Sequence, residues 1–265
     1  MSPLAILAGG GELPRAIALG AREAGRAVFV VALEDSTGDW ANDFPHAWGS
    51  MGQVGKTLRL LRQHGCTEIV FAGYVSRPNF GKLRYDAKGV SWLIPVLWGM
   101  RKGDNTLLDV MVGLFAGEGI EVKSIGDIAP WLQIPPGALG ALKPTEEDQA
   151  DIALAMATAR QQGTRDVGQA VVVRAGKVLA IEGRDGTDAM LARLGKAGGG
   201  VLAKALKPMQ NRKSDLPTIG VTTIKNAAAS GLAGIAVEAH TALVLDKAEV
   251  ASTADALGLF VVATP

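Results

Sequence analysis

Cysteine is almost missing from this chain. Cys66 is the only one in 265 residues, so no internal disulfide forms and no cysteine cluster exists to bind zinc. A reducing cytoplasm is the expected compartment. Histidine is nearly as scarce: His46, His64 and His240 stand far apart without ligand spacing, which argues against a histidine-built transition-metal site. Charge of one sign is also lacking. Twenty-seven basic residues face 26 acidic ones, and a net charge of +1 gives none of the broad positive field that nucleic acid demands. Long apolar runs are missing as well, because the stretch 89–100, bounded by Lys88 and Arg101, falls short of the ~18 residues that span a bilayer. The first residues carry no basic segment and run straight into glycines, so they read as a strand and not a signal peptide.

What is plentiful is small and apolar. The chain is 48% hydrophobic with 34 glycines and only 5% aromatic residues, which suits close α/β packing, and its length allows two domains. Leu4 to Ala8 is a short apolar run closed by Gly9, Gly10 and Gly11, and Pro14 to Ala24 follows with helical spacing. Ala27 to Leu33 is continuously apolar and β-branched, as expected of a strand covered on both faces. A helix over Lys56 to His64 and a strand over Thr67 to Ala72 complete β-α-β-α-β, which implies a parallel, Rossmann-like sheet. Pro78 to Asp104 reads as irregular, followed by a helix from Thr106 to Gly117 and a strand from Ile120 to Lys123.

Four prolines between Pro130 and Pro144 mark a linker or a wrapping loop. The expected division is a domain over 1–130, a linker over 131–144 and a second α/β domain over 145–265. In that second domain Glu146 to Gln162 is a helix opened by acids, and a hairpin turns at Arg174-Ala-Gly176. Further strands are expected at 200–205, 234–238, 242–246 and 257–263.

A glycine-rich turn between a strand and a helix brings backbone N–H groups to a phosphate at the helix's positive end. Gly9-x-Gly11-x-x-Pro14 lacks the third glycine of the dinucleotide fingerprint, although Glu34 falls near the ribose-binding distance of about 20 residues. A purely structural turn is the competing reading. Any metal held by this chain would be a hard cation on oxygen, with Asp104, Asp188 and Asp215 as candidates beside turns. Each is otherwise a cap or turn residue, and Asp188 in particular reads as a helix N-cap. The polar segment from Lys207 to Gly220, with Arg212, Lys213 and Asp215, is a functional loop or a solvated one. Cys66 reads as a buried structural thiol.

Several segments taken together carry a resemblance. Leu7-Ala-Gly-Gly-Gly-Glu-Leu-Pro14, Val75-Ser-Arg-Pro78, Arg101-Lys-Gly-Asp104, Glu182 to Leu191 with its Gly186-Thr-Asp-Ala-Met-Leu191, Asp215-Leu-Pro-Thr-Ile-Gly220 and Gly231-Leu-Ala-Gly-Ile235 occur in order over nearly the whole chain. The combination resembles the LpxI-type UDP-2,3-diacylglucosamine pyrophosphatases of lipid A biosynthesis. The resemblance implies hydrolysis of the substrate's pyrophosphate, assisted by Mg²⁺ or Mn²⁺, to UMP and 2,3-diacylglucosamine 1-phosphate. It implies two α/β domains with the lipid between them; burial of tail methylenes, at ~0.8 kcal/mol each, makes Trp92 to Met100 a candidate part of the tail site, with Trp92 and Trp98 as ordinary core residues the competing reading. It implies Asp215 as the catalytic residue, while Asp188 and Asp104 stay metal-ligand candidates from their place beside turns. Substrate contacts carry over to Gly10, Gly11, Gly73, Tyr74, Val75, Ser76, Arg77, Lys102, Thr187, Asp188, Lys204, Lys207 and Thr218. Tyr74 stands where relatives often carry a small polar residue such as Asn. The expected partners are the lipid-linked UDP-sugar and the inner face of the cytoplasmic membrane, with no nucleic acid and a homodimer left open. The competing classes are an NAD(P)-linked oxidoreductase, which Pro14 disfavours, and a non-catalytic nucleotide-binding module.

Overall fold

The computed structural model describes residues 1–75, 80–102, 104–163, 168–183, 185–206 and 216–265, with the side chains of residues 102, 104 and 105 left aside. The chain forms two compact units, the first spanning Met1–Pro130 and the second beginning at Trp131.

The first unit runs β1 (Leu4–Ala8), α1 (Leu13–Glu23), β2 (Val28–Leu33), β3 (His46–Gly49), α2 (Val54–Gln63), β4 (Glu68–Ala72), α3 (Ala87–Lys102), α4 (Asp104–Ala116), β5 (Glu121–Val122) and α5 (Ile125–Ile128). Its strands lie in the order β3-β2-β1-β4-β5 and all pairs are parallel. β2 is buried at every position, because helices cover both faces of the sheet and leave no side for polar residues. Pro14 sits in the first turn of α1, where a missing N–H costs nothing. The order reverses at β1: β2 lies to one side and β4 to the other. The segments leaving β1 and β4 meet at this reversal, the switch point of the sheet.

Besides the short α5, which the sequence reading did not include, two elements of this unit depart from it. The segment read as irregular contains a 16-residue helix, α3, although Pro95 lies inside it and removes one helical hydrogen bond. Its start is capped by the residue just before it. The Asp86 carboxylate accepts from Gly89 N at 2.8 Å in α3 and from Lys56 N at 2.9 Å in α2, capping two helices at once. Gly99 then lets α3 approach α4, since a Cβ there would stand 3.0 Å from Leu107 Cα. The second departure is β3, a short edge strand whose His46-Ala-Trp-Gly49 sequence gives little local signal.

The second unit runs β6 (Gly137–Ala138), α6 (Glu146–Gly163), β7 (Ala170–Arg174), β8 (Lys177–Ile181), α7 (Gly186–Leu194), β9 (Val201–Lys204), β10 (Thr218–Ile219), α8 (Val221–Ala229), β11 (Gly234–Glu238), β12 (Leu243–Val244), α9 (Lys247–Ala256) and β13 (Phe260–Thr264). Its main sheet has the order β6-β13-β11-β9-β7-β8, in which β13, β11 and β9 are parallel and the outer strands antiparallel. One face packs Leu202, Ile235 and Val261 against Leu191, Ile224 and Val250 of α7, α8 and α9. The other packs Val171, Ala203 and Ala236 against Ile152, Ala155 and Met156 of α6. Two helical layers thus enclose the sheet.

Thr145 and Asp148 cap α6 reciprocally, which explains why its acid-rich start was visible in sequence. The hairpin turn places Ala175 at φ 48°, an unfavourable angle for a residue with a Cβ. Buried Asp151 holds it there by accepting from Ala175 N and Gly176 N, both at 2.8 Å. The proline-rich segment is the wrapping loop of the two sequence readings. Leu132 and Ile134 are buried and Ala138 pairs with Val262 at the sheet edge.

Candidate functional site

In the first unit the turn after β1 is laced to the segment after β4, at the point where strand order reverses. Gly9 N donates to Ala72 O at 2.8 Å, Gly10 N to Tyr74 O at 2.8 Å, and Tyr74 N returns to Gly10 O at 3.1 Å. The spacing between the two segments leaves no room for side chains. A Cβ on Gly9 would lie 2.5 Å from Tyr74 O, and one on Gly73, at φ +86°, would lie 2.4 Å from Gly10 O. The Tyr74 ring, 69% exposed, covers Gly10. Five residues expected to meet substrate, Gly10, Gly11, Gly73, Tyr74 and Val75, are therefore brought to one place. The amides of Gly9 and Gly10, which the sequence reading aimed at a phosphate, already serve the carbonyls of Ala72 and Tyr74.

Glu34 does stand just past the end of β2, but its carboxylate is ion-paired with Arg84. Thr37 was missed in the sequence. Its buried hydroxyl donates to Ala8 O at 2.5 Å and accepts from Leu33 N at 2.8 Å, tying the ends of β1 and β2 together. Trp92, expected in a lipid-tail site, is instead a core residue packed edge-on against Phe115 at 5.2 Å. The same helix leaves Val90, Ile94, Leu97 and Trp98 exposed at helical spacing.

In the second unit the polar residues gather along the carboxyl edge of the parallel strands, where ligands of open α/β sheets are met. Lys204 ends β9 and is only 6% exposed; its ammonium donates to Thr218 O at 3.0 Å. Thr218 Oγ1 donates to Leu216 O at 3.0 Å. Thr187, in the first turn of α7, donates to Glu182 Oε1 at 2.7 Å. Glu182 is 7% exposed, and no sequence signal singled it out as a contact. On the opposite face Glu238 accepts from Arg160, from Leu206 N at 3.0 Å and from Thr241, bracing the same edge.

Asp188 corrects an expectation. It is not the N-cap of α7, a position held by Asp185, but an exposed first-turn residue that accepts from Asn226 Nδ2 of α8 at 2.8 Å. It lines an open cavity of about 370 Å³ between α7 and α8 with Leu191, Lys196 and Ser230. Among the described residues no three His, Cys, Asp or Glu side chains converge to hold a metal. The expected contacts Ser76, Arg77, Lys207 and Asp215 lie outside the described residues, as do the side chains of Lys102 and Asp104. His64 stacks on Phe29 at 4.0 Å and His46 bonds Phe44 O at 2.9 Å, so both have structural roles. Burial pushes the Cys66 thiol up, against the nearby Arg26 charge, as befits an inert core sulfur.

Two family models match the chain in sequence order. The LpxI N-terminal domain covers residues 3–132 and the LpxI C-terminal domain residues 135–262. UDP-2,3-diacylglucosamine pyrophosphatase LpxI of Caulobacter vibrioides is 43% identical over 271 residues, an alignment covering 98% of this chain and 97% of the relative.

Proposed function

The chain belongs to the LpxI family, and from that premise we propose that it is a UDP-2,3-diacylglucosamine pyrophosphatase acting in lipid A biosynthesis. The observation that carries this reading is the 43% identity running through both units to a relative of that name. The two carboxyl edges support it: a glycine turn at a strand-order reversal suits a nucleotide, and a buried ammonium suits a diphosphate.

In the proposed reaction a water oxygen attacks the sugar-side phosphorus and the bond to the bridging oxygen breaks. UMP leaves, and the sugar keeps the attacked phosphate as 2,3-diacylglucosamine 1-phosphate. Lys204 supplies a fixed positive charge at low cost of reorganisation, because burial and the Thr218 carbonyl already hold it in place. Asp215 orients the attacking water and accepts its proton in this proposal. Arg77, Lys102 and Lys207 meet phosphate oxygens in this proposal. Mg²⁺ or Mn²⁺ belongs to the proposal as a counter-ion that lowers the charge of the diphosphate. The described residues do not by themselves form a ligand set for it, and no step here runs through it.

Among the described residues no helix is long and apolar enough to cross a membrane. We place the chain at the inner membrane face, where the exposed stripe of α3 offers apolar area to acyl chains.

The test is incubation of the purified protein with UDP-2,3-diacylglucosamine and MgCl₂ in ¹⁸O-water. UMP should form, with the label in the sugar phosphate, and chelation should stop the reaction. Substrate that binds but stays intact would leave a nucleotide-sugar-binding module instead.

A further inference from the structure

In the register of the second sheet Ala170 stands opposite Lys204, and on its other side Glu182 N donates to Ala170 O at 2.9 Å, one step beyond the Val171–Ile181 pair. Glu182 and Lys204 therefore flank Ala170 on one face of the carboxyl edge, about 10 Å apart across two strand spacings. Each oxygen of Glu182 has its own partners. Oε2 accepts from Gln169 N at 2.6 Å and Ala170 N at 3.1 Å, and Oε1 accepts from Thr187 Oγ1 at 2.7 Å. A carboxylate has no hydrogen to give, so the sense of the last bond is fixed. Thr187 spends its only hydrogen inward and has lone pairs alone to offer a ligand.

We infer that Glu182 is a positioning residue that makes Thr187 an acceptor-only contact, so that Thr187 receives a hydroxyl or amide N–H of the nucleotide sugar and not a phosphate oxygen. The inference rests on the pyrophosphatase reading and divides the edge into two parts. Lys204 serves the anionic diphosphate, and Thr187 serves a neutral, hydrogen-donating part of the substrate. A phosphate oxygen against Thr187 would set lone pair against lone pair.

Glu182→Gln tests this because it keeps shape and inverts polarity. The Gln carbonyl must take over the two backbone N–H groups, which leaves its NH₂ facing Thr187. That group only donates, so the Thr187 hydrogen turns outward and meets the substrate's donor. Thr187→Val removes the contact without inverting it. With UDP-2,3-diacylglucosamine we expect Thr187→Val to lose roughly tenfold in kcat/KM, the worth of one good hydrogen bond, and most of it in KM. Glu182→Gln should lose roughly 100-fold, because two donors then face each other. The double variant should return to the level of Thr187→Val, better than Glu182→Gln alone. A merely structural brace gives no such recovery, since both losses would then add.

The same series is read by calorimetric Kd under chelation, so a protein that binds the substrate without cleaving it still decides the question. Failure of hydrolysis in the unmodified protein thus counts against the pyrophosphatase reading alone. A double variant no better than Glu182→Gln overturns the inference, as does Glu182→Gln within twofold of the unmodified protein. Should Glu182→Gln fail to fold, Thr187→Val is compared with Thr187→Ser, and a ratio under threefold overturns it.

Discussion

Replacing Gly73 by Ala should open the junction between the two loops of the first unit. Gly73 has φ +86°, where a Cβ costs about 1–2 kcal/mol. That Cβ would lie 2.4 Å from Gly10 O and 2.8 Å from Pro14 Cγ. Gly10 O cannot yield freely, because it accepts from Tyr74 N while Gly10 N donates to Tyr74 O. Relieving the overlap breaks that pair of bonds, at about 1 kcal/mol each. The sum is about 3 kcal/mol, or roughly 10 °C in the unfolding midpoint of a unit this size. Gly10→Ala is the contrasting change. The three atoms nearest its Cβ, at 2.5–2.9 Å, all belong to the Tyr74 ring, and Tyr74 is exposed enough to swing aside. It should cost under ~1 kcal/mol of stability, as a surface change does. Urea unfolding of both variants measures the difference. A Gly73→Ala protein within ~0.5 kcal/mol of the unmodified one, or less damaged than Gly10→Ala, would refute the reasoning.

Asp86→Ala removes a cap from both α2 and α3 and should cost about 2 kcal/mol at neutral pH, ~1 for each helix. Burial alone would raise the Asp86 carboxyl, but the N–H groups of Gly89, Lys56, Gly55 and Lys88 outweigh it and hold it below the usual range. The stabilisation is therefore complete above the unfolded value and lost as pH falls through the lowered folded one. The gap between the two proteins in urea titrations should close below about pH 4, and a gap unchanged at pH 3 contradicts the account. Asp215→Ala should lower kcat by roughly 10² with the melting temperature kept. A stable variant within about threefold in kcat, under ~1 kcal/mol in the barrier, removes Asp215 from the mechanism. Ile94→Glu, at a position 79% exposed, should leave stability unchanged within ~0.5 kcal/mol while weakening sedimentation with anionic vesicles and raising KM for the diacylated substrate. Unchanged values in both assays would take the α3 stripe out of the lipid contact.

Elements whose signals are local were legible in the amino acids alone. β1, β2 and β4 are apolar on both faces, and only strands sandwiched between helices tolerate that. The capped start of α6 and the Ala175-Gly176 turn are likewise written within a few residues of where they act. The ordered motifs gave the family for the same reason. α3 was hidden because Gly89, Pro95 and Gly99 speak against a helix, and its one local signal, the Asp86 cap, is reinforced only at a distance, by the bond from Lys56 of α2 and the close approach to α4. Strand order was equally out of reach, since nothing local to β4 says that it pairs with β1 on the side away from β2. That pairing alone puts Gly73 and Tyr74 against Gly9 and Gly10, more than 60 positions earlier in the chain. Thr187 and Asp188 are neighbours in sequence, yet the helical turn sends one to Glu182 and the other to Asn226. Glu182 and Lys204 became neighbours only through β7. Register between strands is settled by the burial of whole faces, a sum over residues far apart in the chain, so the carboxyl edge exists only once the sheet has assembled.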